Sequence, residues 1–146
     1  MSDPYRAFLE AKAAIAPGAG FDVEPEELHP ILKPHQRAIA QWAIRGGRRA
    51  IFASFGLGKT LIQLETVRII RERAGGRALI VCPLGVRQEF TRDARMVGLA
   101  PRFIRRIEEA EDPDGIYLTN YETIRDGKLD PTAFSVTSLD EAATLR

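Results

Sequence analysis

The chain has 146 residues, 45% of them hydrophobic and 28% charged, with a net charge of +1. That balance describes a folded domain with a core of its own and excludes a disordered tail or a collagen-like chain. No apolar run approaches the ~20 residues of a membrane span, no signal-peptide core opens the chain, and a single cysteine, Cys82, excludes an internal disulfide, so the sequence reads as a cytoplasmic protein.

In chain order, residues 4–16 predict a short helix with Tyr5, Leu9, Ala13 and Ala16 on one face, stopped by Pro17-Gly18-Ala19-Gly20. An acidic connector, Asp22 to Glu27, runs on to Pro30, and residues 1–29 read as an appendage to a domain over 30–146. Pro34 opens the next helix and Gly46-Gly47 closes it, with Ala38, Ile39, Trp42 and Ala43 as its expected buried stripe. Ala50 to Ala53 predicts a buried strand, and Gly58 to about Arg73 a helix with one polar stripe, Glu65, Arg68 and Glu72. Ala78 to Cys82 is a second buried strand, ended by Pro83, with Cys82 as a small core residue. Val86, Phe90, Ala94 and Val97 recur at helical spacing. Phe103 to Ile107, Ile116 to Thr119 and Phe134 to Leu139 predict further strands, and Tyr121 to Ile124 a helical turn. Strands alternating with helices imply an α/β fold, a parallel sheet with helices on both faces.

The stretch Ala53-Ser54-Phe55-Gly56-Leu57-Gly58-Lys59-Thr60 lies between a predicted strand and a predicted helix, the context of a phosphate-binding loop. Gly56 and Gly58 permit backbone angles that turn successive amides towards an anion, and the helix start adds its dipole. In that chemistry Lys59 reaches the β- and γ-phosphates and the Thr60 hydroxyl holds Mg²⁺. Asp140-Glu141, at the end of the last predicted strand, supplies the complement. Asp140 suits Mg²⁺ through water, and Glu141 suits the general base that activates the attacking water. A lone Asp-Glu pair is more often a helix cap, and only the phosphate loop gives this one its meaning. Arginines gather between Arg68 and Arg106, a distribution compatible with a phosphate-backbone groove and equally with solvated helix faces.

Five segments then occur in one order: Leu32-Lys33-Pro34-His35-Gln36, Ala53 to Thr60, Leu79 to Leu84, Thr119-Asn120-Tyr121-Glu122 and Asp140 to Ala143. Over residues 30–146 this order resembles superfamily 2 helicases and translocases, and the tail Asp140 to Arg146 looks most like their Swi/Snf-type branch, which includes phage-encoded members. The resemblance implies the first, RecA-like ATP-binding lobe of a DNA-dependent ATPase, with ATP and Mg²⁺ as cofactors and DNA rather than RNA as partner. By it, Gln36 reads the adenine edge, Pro83, Leu84 and Gly85 contact the nucleic-acid backbone, and Asn120 and Tyr121 make the next backbone contact. The family often has His where this chain has Ala143, and alanine cannot make the hydrogen bond that links hydrolysis to the DNA-contacting parts.

The resemblance also implies a further strand between the phosphate-loop strand and the strand ending at Asp140, and a second lobe with an arginine finger. The sequence ends before either, so the lobe is expected to be C-terminally incomplete and inactive alone. A free-standing ATP- and DNA-binding module without productive hydrolysis is the alternative from another class. A metabolic P-loop kinase would need a lid with phosphate-binding arginines, for which no segment is evident.

Overall fold

A computed structural model describes Pro4, residues 20–47 and residues 58–140. The expected helix over 4–16 (but for Pro4), the strand over 50–53, the loop through Leu57 with Gly56, and Glu141 to Arg146 lie outside the described residues.

Helix α1 (Pro34–Gly46) begins with proline at its first position, where no amide is lost, and ends at Gly47, whose φ of 72° closes it. Helix α2 (Lys59–Ala74) runs between two left-handed glycines, Gly58 and Gly75. Strand β1 (Ala78–Val81) follows, then α3 (Arg87–Met96), β2 (Arg102–Phe103), β3 (Ile116–Thr119), the five-residue α4 (Tyr121–Arg125) and β4 (Val136–Leu139). The sheet order is β2-β3-β1-β4 and every pairing is parallel. The described residues form an α/β fold, with a small parallel four-stranded sheet and helices. No helix among the described residues is long and apolar enough to cross a membrane.

The continuous apolar run of β1 is explained by burial on both faces. Ala78, Ile80 and Cys82 join a core built with α1, α2 and α3, whereas Leu79 and Val81 face a second core with Ile104, Tyr117, Leu129 and Phe134. The two faces are not covered alike. Among the described residues, α1, α2 and α3 pack on the first, and the second is closed by α4, by single turns at Ile107–Glu109 and Pro131–Ala133, and by loops. Gly127, with φ of 71°, ends α4 before it can lengthen.

Two expectations are corrected. The buried face of α1 is Gln36, Ala40, Ala43 and Ile44, while Ala38 is exposed and Trp42 is 45% exposed. Apolar residues surround this helix on nearly every side, so periodicity alone does not select the face. The expected strand over 103–107 shrinks to two residues, because Arg105 and Arg106 are exposed and only Ile104 continues the ladder, its amide donating to the Leu118 carbonyl at 2.8 Å. The acidic connector packs against the domain from Gly20 onward. Val23, Leu28 and Leu32 enter the main core, and the acids meet cations from helices: Arg45 bonds Asp22 at 2.7 Å, and Arg73 bonds Glu27 at 2.6 Å. The fully buried Glu65 of α2 accepts from the His29 amide at 3.3 Å and pairs with Arg68, so its charge is compensated where water cannot reach.

Candidate functional site

In an open parallel sheet, ligands gather outside the carboxyl ends of the strands. Here three strands end side by side. Val81 is opposite Thr119 on one side and Leu139 on the other. The backbone pairing continues one residue further, since Cys82 donates to the Thr119 carbonyl at 3.0 Å and Asp140 to the Val81 carbonyl at 2.8 Å. Pro83, Asn120 and Asp140 therefore leave the sheet from adjacent strands.

The direction of α2 brings its amino terminus to the same edge. Gln63, in its second turn, donates to the Ser138 hydroxyl at 2.7 Å near the end of β4, while Gly76, just past its far end, lies against Ser135 at the start of β4. The helix thus runs antiparallel to the strand, and its first-turn amides, which have no partners within the helix, open at the carboxyl edge with the positive end of the dipole. Lys59 is exposed there and Thr60 is half-buried.

Gln36 is the residue that joins α1 to this edge. Its side-chain oxygen accepts from the Lys33 amide at 2.8 Å, closing the first turn of α1. A Cβ placed on Gly58 would lie only 2.1 Å from its Nε2, so the carboxamide rests directly on the backbone of the turn that opens α2. Gly58 itself holds φ 71° and ψ 40°, a left-handed conformation that favours glycine.

The opposite wall is set by Asp140 and Tyr121. The Tyr121 hydroxyl donates to the Asp140 carbonyl, while the ring packs against the second core. This link between two expected site residues had no local sequence signal, because it depends on β1 lying between β3 and β4. Asp140 also acts on Cys82. Burial, then the neighbouring Asp140 charge, pushes the Cys82 thiol up to about 11, with Arg87 partly opposing.

Of the residues expected to meet a nucleic-acid backbone, Leu84 is 52% exposed and Gly85 faces open space, with Pro83 half-buried between them and the sheet. Asn120 is buried, its side-chain oxygen accepting from the Thr123 amide at 3.1 Å and the Thr123 hydroxyl at 2.5 Å as the cap of α4. Its side chain shapes the turn from within. Among the described residues no group of three or more His, Cys, Asp or Glu side chains is placed to hold a metal. The Thr60 hydroxyl, the Thr119 hydroxyl and Asp140 are among the oxygen-bearing groups of this edge. Compared with models of protein families and with curated proteins, the chain matches none.

Proposed function

We propose that the chain is an ATP-binding, RecA-like lobe of a DNA-dependent ATPase of the helicase or double-strand translocase kind. The observation that carries this reading is the seating of Gln36 on Gly58. It brings an amide donor and acceptor, suited to the adenine edge, beside the helix start where phosphates are held. The parallel sheet order and the antiparallel run of α2 against β4 support the same reading.

In this function the first-turn amides of α2, with the Gly56 and Gly58 turn, cradle the phosphates, and the Lys59 ammonium meets the β- and γ-phosphates. Thr60 and Asp140 would hold Mg²⁺, which when bound would neutralise phosphate charge. Glu141 takes a proton from water as the water oxygen bonds to the γ-phosphorus and the bond to the departing ADP oxygen breaks. Pro83, Leu84, Gly85 and Tyr121 lie along the nucleic-acid backbone, with Asn120 fixing their turn from below. By the resemblance, turnover also needs the arginine of a second lobe as partner.

Titration calorimetry of MgATP tests the reading. Lys59→Ala removes the charge facing the phosphates and should cost on the order of 2–4 kcal/mol of binding. Equal affinity for the two proteins would remove the ATP site.

A further inference from the structure

A concavity of about 490 Å³ opens beyond the end of β2, lined by Phe103, Arg105, Arg106, Glu109 and Lys128. Its cations come from separate parts of the chain. Arg105 and Arg106 follow the two-residue strand, and Lys128 is set after α4 by its amide bond to the Thr123 carbonyl at 3.1 Å. Arg87 joins them from the first turn of α3, its guanidinium 4.6 Å from the centre of the Phe103 ring, with that of Arg105 5.4 Å from the same ring. All four cations are exposed. The one carboxylate in the lining, Glu109, lies 3.9 Å from Arg106, so positive charge dominates.

We propose that this basic concavity binds the sugar–phosphate backbone of a nucleic acid, through charge and without reading bases. The Phe103 ring is already engaged by two guanidinium groups, so it offers no stacking platform to a base. What remains outward is a set of cations, which suits phosphate recognition whatever the sequence. The place fits the same partner. Arg87 continues directly from the Pro83-Leu84-Gly85 segment, and Lys128 is tied to Thr123, which is itself bonded to Asn120. The concavity therefore extends the backbone track of the proposed function to four side chains that the resemblance does not include, and it rests on that reading only for the identity of the polyanion.

The test is fluorescence anisotropy of a labelled duplex DNA of mixed sequence, over a series of salt concentrations. Arg105→Gln with Arg106→Gln should weaken binding roughly 10- to 60-fold at 0.1 M salt and flatten the log–log salt slope by about 2, since each neutralised phosphate contributes about 0.9. Lys128→Gln should flatten it by about 1. The pair Arg92→Gln with Arg95→Gln, an equal charge change further along α3, should leave the slope as it is. Circular dichroism melts confirm that each variant folds. Unchanged binding in the Arg105 and Arg106 variant, an equal loss in the α3 control, or no binding by the wild-type chain at 50 mM salt each overturns the proposal. MgATP titration in parallel separates the two claims. A chain that binds DNA through Arg105 and Arg106 but binds no nucleotide keeps this surface and loses the ATP site.

Discussion

The Gln36 carboxamide touches the backbone of Gly58 with its nitrogen while its oxygen closes the first turn of α1 on the Lys33 amide. One side chain thus couples the starts of two helices, and the two ends of its amide do different work. Gln36→Ala removes both. It should cost about 1 kcal/mol of stability through the lost cap and also erode the preference for ATP over GTP. Gln36→Glu keeps an oxygen for the Lys33 amide but loses the nitrogen donor. It should therefore keep the cap on the Lys33 amide and lose nucleotide selectivity, while the carboxylate, at a position only 6% exposed, adds a stability cost of its own. Melting curves and paired ATP and GTP titrations read the two effects separately, and a Glu variant with full selectivity would show that adenine is recognised elsewhere.

The same contact can be measured from the glycine side. Gly58 and Gly127 share φ of 71°, but a Cβ at Gly127 meets nothing within 4 Å, whereas one at Gly58 strikes Gln36. Gly127→Ala should show the strain of a left-handed alanine alone, about 1–2 kcal/mol. Gly58→Ala should cost that much in urea unfolding and in addition lower MgATP affinity, because Gln36 must leave its seat. Equal effects of the two substitutions on both readouts would mean that the Gln36 seat contributes nothing.

What the sequence made legible follows from how local the deciding forces are. β1 was readable because a short apolar run, bounded by Gly75-Gly76 and Pro83, is too brief for a buried helix and suits a strand buried on both faces. The edge residues Lys59, Thr60 and Asp140 were readable because spacing to a helix start or a strand end is a local property. The face of α1 was not, since Ala38 to Ile44 is apolar nearly all round. Contacts distant in sequence select the inward side: Gly58 against Gln36, and the Phe21 amide on the Ile44 carbonyl at 3.3 Å. The ion pairs of the connector were not legible either, because Asp22 and Glu27 stay exposed while their partners Arg45 and Arg73 lie 23 and 46 residues away.

The raised thiol of Cys82 gives a pH signature. In the folded chain the thiol keeps its proton up to about 11, against 9.0 for the ordinary group, because burial and the Asp140 charge disfavour the thiolate. Between those values the unfolded chain releases a proton that the folded chain retains, so stability is fully present below pH 9.0 and falls as pH rises towards 11. The loss amounts to at most about 3 kcal/mol, from 1.36 kcal/mol per unit. Cys82→Ala should remove this part of the alkaline slope, whatever it does to stability at neutral pH. Asp140→Asn should reduce it. Urea unfolding at a series of pH values measures both, and parallel slopes for wild type and Cys82→Ala would show that the thiol does not titrate as placed.

Tyr121 and Asp140 are 19 residues apart and leave the sheet from strands on either side of β1, yet the tyrosine hydroxyl reaches the aspartate carbonyl. The bond fixes the backbone at the carboxyl end of β4, from which the Asp140 carboxylate projects. Tyr121→Phe keeps the ring against the second core and removes the hydroxyl that makes the bond. Its stability cost should be about 1 kcal/mol, the net contribution of a single hydrogen bond. If Asp140 works as a Mg²⁺ ligand, loosening its backbone should weaken MgATP more than ATP without metal. Tyr121→Ala also empties the ring's place against the second core, and should cost roughly 3 kcal/mol, as large aromatic truncations do. Urea unfolding orders the three proteins, and titrations with and without Mg²⁺ isolate the metal-dependent part. A Phe variant as stable as wild type, with the same Mg²⁺ dependence, would show that this bond positions nothing.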